Sequence, residues 1–115
     1  MRRFSAALTL AAVMFTAQVG AHHGWTGYSD KETKLTGTIE TVSYENPHAS
    51  VRLNVDGKRW DIVLAPTARM QARGLEKGML KVGDKATVAG YIHKTTATEL
   101  RAETITIGTR TTELR

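Results

Sequence analysis

The segment "ASVRLNVDGKRWDIVLA", residues 49–65, carries the clearest structural signal in the chain. Two runs of alternating apolar and polar residues flank Asp56-Gly57, a pair that favours a two-residue hairpin turn because both central positions need positive φ. This turn sets a register in which the inward pairs are apolar and the outward pair is charged: Leu53 with Trp60, Val51 with Ile62, Ala49 with Leu64, and Arg52 with Asp61. The sequence therefore predicts a β-hairpin, since a slip of one residue would move every apolar side chain to the other face.

Three more strands and a short helix are predicted around this hairpin. Residues 35–44 are rich in Thr, Ile, Val and Tyr, and a change of apolar parity predicts a bulge near Glu40 and Thr41, or a sharp bend assisted by Gly37. Pro66 and Gly74 mark the limits of a short helix that would cover one end of the sheet. The segments "KATVAGYIH" and "LRAETITIG" alternate like a fourth and a fifth strand, and Gly90 in the first of them permits close approach of another backbone.

Three strands, a short helix and two further strands form the element order of the oligonucleotide/oligosaccharide-binding (OB) fold. We therefore expect a mainly β protein: a small five-stranded OB-like Greek-key barrel over residues 35–108, with one short helix between strands 3 and 4. A flat meander is the alternative, but it would leave long strand edges exposed. Residues 22–34 lack a hydrophobic period and are expected to form a flexible N-terminal arm, and residues 109–115 a C-terminal tail.

The first 21 residues have the features of a secretory signal peptide. Arg2 and Arg3 precede an apolar run over residues 4–19, and small residues that end at Ala21 are typical of a cleavage site. The run is shorter than the roughly 20 residues that span a bilayer, so no membrane insertion is expected after cleavage. We expect cleavage after Ala21, a mature chain that begins with His22, and a periplasmic or secreted location.

Composition limits the partners and the chemistry of the mature chain. Loss of residues 1–21 removes two arginines and no acid, so the formal net charge falls from +5 to +3. A mild and dispersed excess of basic residues argues against nucleic acid as a partner. The chain has no cysteine, so it forms no disulfide, and any metal site must use imidazole, carboxylate or amine ligands.

Several motifs occur together in this chain: "AHHGW" at the predicted mature start, "GTIETVSYENPHASVRLNV", the tryptophan-bearing "RWDIVLA", "LKVGDKATVAGY" and "LRAETITI". In this combination the chain resembles the domain-of-unknown-function family 6152 of small secreted bacterial proteins, over nearly all of the mature sequence. One departure is Tyr91-Ile92-His93, where a His-Pro pair is expected after Gly90. The resemblance implies an exported single-domain protein and supplies no activity. A more distant similarity is to periplasmic OB-fold stress proteins.

The four histidines are the candidate metal ligands. His22 and His23 lie at the predicted mature terminus, His48 in the loop between strands 1 and 2, and His93 at the loop between strands 4 and 5. These two loops flank the usual ligand face of an OB barrel. A terminal amine with several imidazoles would form a nitrogen-rich site suited to Cu(II) or Zn(II). The alternatives are that the paired histidines are merely exposed, and that His48 and His93 are hydrogen-bonding loop residues.

The sequence contains no recognisable catalytic motif: there is no cysteine nucleophile, no serine elbow and no phosphate-binding glycine loop. We therefore expect a non-enzyme without catalytic residues, whose only expected cofactor is copper or zinc. The hypothesis is a periplasmic module that binds metal or a small ligand; the alternative is a module that docks another envelope protein through its barrel edge or through Trp25. An indole avoids water, so Trp25 is predicted to dock onto the barrel or a partner, whereas Trp60 is predicted to lie in the core rather than to form a stacking platform with Tyr91.

Overall fold

The computed structural model describes residues 25–115, so the predicted signal peptide, His22 and His23 lie outside the described residues. Within this range the protein is mainly β, with one six-stranded sheet and one short α-helix. In chain order the elements are β1 (Tyr28–Ser43), β2 (Ser50–Val55), β3 (Lys58–Val63), α1 (Thr67–Ala72), a 3-10 helix (Lys77–Met79), β4 (Lys85–His93), β5 (Glu99–Ile107) and β6 (Arg110–Glu113).

The strands lie in the order β3-β2-β1-β4-β5-β6, and these neighbours are antiparallel. β3 also pairs with β5 in parallel, through Asp61 with Glu99 and Val63 with Arg101. The strands β1, β2, β3, β5 and β4 therefore form a closed cycle of hydrogen-bonded neighbours. Because β5 pairs with three other strands, its side chains lie next to residues from distant parts of the chain.

The β2–β3 hairpin has the predicted register, with Leu53 opposite Trp60. Asp56 and Gly57 have φ values of 53° and 87°, as the predicted turn requires. On the outward face, Nε of Arg52 lies 3.0 Å from Oδ1 of Asp61. The prediction that Trp60 belongs to the core is confirmed, since its side chain is only 8% exposed.

Two local features of the strands follow from steric constraints that the sequence indicated. β1 has its bulge between Ile39 and Thr41, as predicted. Gly90 lies where the pairing of β4 with β5 shifts register, and a Cβ at this position would stand 2.0 Å from the carbonyl oxygen of Arg101. Since no side chain tolerates such an approach, glycine at position 90 lets the two backbones come together.

Helix α1 covers the core through a single residue, Met70, which is fully buried. The helix follows Pro66 and ends before Gly74, whose φ of 84° suits glycine, so its predicted limits are confirmed. The largest fully buried side chains come from strands β1 to β5, from α1 and from the residues just after β3 and β6: Ile39, Leu53, Ile62, Leu64, Met70, Val88, Leu100, Ile105 and Leu114. Among the described residues, no helix is both long and apolar enough to cross a membrane.

The prediction of a flexible arm over residues 22–34 is wrong from Tyr28 onward. β1 begins at Tyr28, and residues up to Thr38 pair with β4. This half of β1 carries charged, exposed side chains such as Lys31 and Glu32, which suit a strand edge. Because these residues are polar, the segment has no apolar alternation from which a strand could be predicted.

The prediction of a C-terminal tail over residues 109–115 is also wrong, and the structure has six strands rather than five. β6 pairs with β5 after a turn at Gly108, whose φ is 64°. Thr112 and Leu114 are 4% and 2% exposed, so this short segment contributes to the core. Two inward residues are too few to establish a period in the sequence.

Candidate functional site

Arg101 is the residue around which the candidate site is built. It lies on β5, opposite Val63 of β3 and Tyr91 of β4. Trp25, which precedes β1, and His48, in the loop between β1 and β2, both contact Arg101. The charge of Arg101 also acts on Tyr28 of β1, and Tyr28 packs against His93 at the end of β4. We call this set of five residues the loop cluster: Trp25, Tyr28, His48, His93 and Arg101.

Trp25 packs against charged and aromatic side chains of the folded domain. Its ring centre lies 4.6 Å from Cζ of Arg101 and 5.5 Å from Cζ of Arg115, within the range of cation–π attraction. The Tyr91 ring meets it edge-on, with ring centres 5.9 Å apart. The prediction that Trp25 docks onto the domain is confirmed. An open depression of about 380 Å³ adjoins the indole and is lined by residues 25–30 and Lys94.

His48 is half-buried beside Arg101. Its Nε2 lies 3.5 Å from Nη2 of Arg101, at the outer limit of a hydrogen bond. Since a guanidinium can only donate, Nε2 is the acceptor and the neutral ring carries its proton on Nδ1. Burial lowers the pKa of His48 below its ordinary value, and the positive charges of Arg101 and Arg69 lower it further. His48 is therefore neutral near pH 7 and lies in a positive environment.

His93 is held by the loop that follows β4. Its Nδ1 accepts hydrogen bonds from the backbone N–H groups of Thr95 and Thr96, both at 3.1 Å. In the neutral ring the proton is therefore on Nε2. The ring packs edge-on against Tyr28, with ring centres 4.9 Å apart. Both nitrogens of His93 thus lack a free lone pair for a metal ion in this arrangement.

Tyr28 connects the His93 side of the loop cluster to Arg101. Its hydroxyl donates a hydrogen bond to a carboxylate oxygen of Glu99. Burial raises the pKa of Tyr28 to about 12, and the hydrogen bond and negative charge of Glu99 act in the same direction, whereas Arg101 opposes them. The phenol is therefore neutral at any physiological pH, and it donates its hydrogen bond to a carboxylate whose charge also acts on Arg101.

Arg101 is a partly buried cation with incomplete hydrogen bonding. Its Nε is buried and, among the residues that the structure describes, is the one such side-chain atom without a hydrogen-bond partner. Over the same residues Arg52, Arg59 and Arg115 each pair with a carboxylate, whereas Arg101 forms no ion pair. Burial lowers the pKa of Arg101, and the positive charge of Arg69 acts in the same direction, whereas Tyr28 and Glu99 oppose them.

The structure links His48 and His93 through intervening side chains and does not bring them to one ligand position. His48 contacts Arg101, whose charge also acts on Tyr28, and Tyr28 packs against His93. Over residues 25–115, no group of three or more His, Cys, Asp or Glu side chains could hold a metal ion. A metal site that includes His22 and His23 stays a prediction, because both lie outside the described residues.

Sequence reasoning did not single out Arg101, Tyr28 or Glu99. In the sequence, Arg101 stands between the apolar residues Leu100 and Ala102, as an outward-facing residue of a strand would. The parallel pairing of β3 with β5, which places Val63 beside Arg101, could not be inferred from this local pattern. Tyr28 fell within the segment that was expected to be a mobile arm. The one available signal was Trp25, since an indole that must dock requires a surface to receive it.

Comparisons with known proteins support the fold and leave the activity open. A protein-family model, described as a family of unknown function (DUF6152), matches residues 10–101. No curated protein matches the chain. Among solved structures, the chain is similar to the crystal structure of the ZRD-deleted mutant of TiaS in complex with agmatine, with a TM-score of 0.56 and 17% sequence identity. The likeness covers 73% of this chain but 26% of that chain, and at this identity it shows the fold alone.

Proposed function

The chain belongs to the DUF6152 family of unknown function, and we propose that it is an exported, periplasmic binding module with an OB-like barrel. The closed cycle of β1, β2, β3, β5 and β4, with a short helix after β3, supports the barrel. The cationic start, apolar run and small-residue cleavage site in residues 1–21 support export. The module holds a small polar ligand at the loop cluster and is not an enzyme.

The observation that carries this proposal is a chain of contacts around Arg101 that connects five side chains from separate segments. Trp25 precedes β1, Tyr28 begins it, His48 lies in the next loop, His93 ends β4, and Arg101 lies on β5. Together they offer an indole, a phenol, two imidazoles and a guanidinium, and two of them, Trp25 and Tyr28, also line an open depression. Ligand sites in proteins typically combine aromatic surface with a few convergent polar groups in this manner.

The copper or zinc site expected from His22, His23, His48 and His93 is the less supported form of this proposal. His93 uses Nδ1 to accept two backbone N–H groups, and His48 stands beside two arginines, which disfavour a metal cation. A metal would therefore rely on His22 and His23. Docking of an envelope protein through Trp25 is also less supported, since that ring already packs against Arg101 and Arg115.

The experiment is a stability screen of the exported protein, whose cleavage site is first fixed by its mass. A mixed panel of carboxylates, phosphate, amines, neutral sugars, Cu(II) and Zn(II) is tested for ligands that raise Tm, because a ligand that binds the native state stabilises it. The proposal expects at least one small ligand to raise Tm in the wild type and in the control R59M, and to raise it less in W25A and H48A. It is contradicted if no member of the panel acts, or if W25A and H48A respond like the wild type.

Binding of Cu(II) is tested separately with variants of the two loop histidines. If Cu(II) binds through the predicted histidines of the loops, H48A and H93A weaken it; if they do not, any copper site is confined to the predicted mature terminus. Neither outcome for Cu(II) decides whether other small ligands bind the loop cluster.

A further inference from the structure

Arg101 is a charge that the fold buries without giving it a counter-ion. Moving a cation out of water is costly unless hydrogen-bond acceptors or an anion replace the water. Nε of Arg101 has no acceptor among the described residues, while Arg52 and Arg59 pair with carboxylates although they are far more exposed. A buried polar atom without a partner in a native fold requires an explanation, and an ion that belongs at the site is one such explanation.

The carboxylates near Arg101 are already engaged by other groups. Glu99 accepts the hydrogen bond of Tyr28, and Glu103 pairs with Arg115 at 2.6 Å. The charge of Glu99 acts on Arg101, but no described carboxylate forms an ion pair with its guanidinium, which leaves hydrogen-bonding capacity for an anion from outside.

A second cation reinforces the first. Arg69 of α1 is exposed, and its positive charge lowers the pKa of both His48 and Arg101. Its side chain donates a weak hydrogen bond, from Nη1 to the carbonyl oxygen of Leu114 at 3.4 Å. Arg69 can therefore turn toward a ligand at little cost.

We infer that Arg101, Arg69 and His48 bind a small oxyanion, either a carboxylate or a phosphate-type group. This inference rests on the proposed function and specifies the class of ligand that the loop cluster takes. A guanidinium donates in its own plane, through two parallel N–H groups that match a carboxylate or a phosphate. Cζ of Arg101 lies over the Trp25 ring, and a π face accepts no N–H donor in the guanidinium plane, so this contact and anion binding are compatible. His48 adds a donor, because its neutral ring carries a proton on Nδ1.

The test is a titration of the full exported chain with inorganic phosphate and, separately, with succinate, each against sodium chloride at equal ionic strength. Binding is measured by calorimetry and by the fluorescence of Trp25 in a W60F background. R101M keeps the length of the side chain without its charge, and R101K keeps the charge without the paired planar N–H donors of the guanidinium. R59M, at an exposed arginine, is the control. We expect R101M to weaken binding at least about tenfold, R101K to lie between R101M and the wild type, and R59M to bind like the wild type.

Two results would overturn the inference. One is that neither phosphate nor succinate binds the wild type more tightly than chloride does; the other is that R101M, or R101K if R101M fails to fold, binds like the wild type. If a neutral or cationic member of the ligand panel then acts through Trp25 and His48, the oxyanion inference fails while the proposed function stands. If no member of the panel acts, both fail. Binding of phosphate but not succinate, or the reverse, supports the inference and decides between the two ligand groups.

Discussion

The guanidinium of Arg101 lies 4.6 Å from the centre of the Trp25 ring, which joins the first described residue of the chain to its fifth strand. Arg115 approaches the same ring to 5.5 Å, so the indole is flanked by two cations. Cation–π contacts of this kind are stronger where water is partly excluded. The contact therefore secures the segment before β1 to the domain and shields one face of Arg101.

Replacement of Trp25 by alanine should lower the free energy of unfolding by about 2 kcal/mol, because the indole loses both its packing and its cation–π contacts. Urea unfolding of W25A measures the loss, and T26A, which alters the exposed neighbouring residue, is the matched control. Equal stability of W25A and the wild type would show that Trp25 does not pack on the folded domain in solution.

His48 should make the protein less stable as the pH falls. Burial and two arginines lower its folded pKa below 6.5, so between the two pKa values the unfolded chain binds more protons than the folded protein. Stability is therefore lost as the pH drops through 6.5 toward the folded pKa. H48Q removes this group, so the urea midpoint of the wild type relative to that of H48Q should fall on acidification. A constant difference across this range would mean that the pKa of His48 is not lowered.

Tyr28 should have the opposite effect at alkaline pH. Its folded pKa is about 12 against an ordinary value of 10.0, so the folded protein retains a proton that the unfolded chain has lost. Stability falls as the pH rises from 10.0 toward 12. The tyrosinate absorbance of wild type minus that of Y28F isolates this group, since burial also raises the pKa of Tyr44 and Tyr91. In E99Q the pKa of Tyr28 should move down, and an unchanged titration there would rule out the Tyr28–Glu99 hydrogen bond.

Gly90 should tolerate no side chain. A Cβ would stand 2.0 Å from the carbonyl oxygen of Arg101 and 2.7 Å from Cα of Ala102, both of them backbone atoms that cannot move aside alone. We expect G90A to lose about 3 kcal/mol of unfolding free energy. G78A is the control, since nothing lies within 4 Å of its Cβ, and it should stay within about 0.5 kcal/mol of the wild type. A mild G90A would contradict the close approach of β4 and β5.

Local patterns allowed much of the fold to be predicted. The Asp56-Gly57 turn and the alternation around it determined the hairpin register, and Pro66 and Gly74 marked α1, because each depends on neighbours in sequence. The first half of β1 and the whole of β6 were missed for a common reason. The first half of β1 is a charged strand edge, and β6 has only two inward residues, so neither segment has a clear apolar alternation. Each forms a strand because it pairs with a neighbour, β4 for the first half of β1 and β5 for β6.

The candidate site could be predicted only in part. The loops with His48 and His93 and the need for Trp25 to dock could be inferred from residue type and fold order. The position of Arg101 could not, because its buried Nε results from long-range pairing of β5 with β3 and β4. Histidines stand out in the sequence as candidate ligands because they are few and chemically distinctive, whereas Arg101 is one of many basic residues.

The most direct test of the proposed binding site is a ¹H–¹⁵N correlation spectrum of the protein, recorded while it is titrated with the small ligand that raises Tm most. We expect the largest shifts at the indole N–H of Trp25, at Nε–H of Arg101 and at the amide of His48. Shifts confined to the outward face of the β2–β3 hairpin, at Arg52 and Arg59, with those three signals unmoved, would contradict the proposed site.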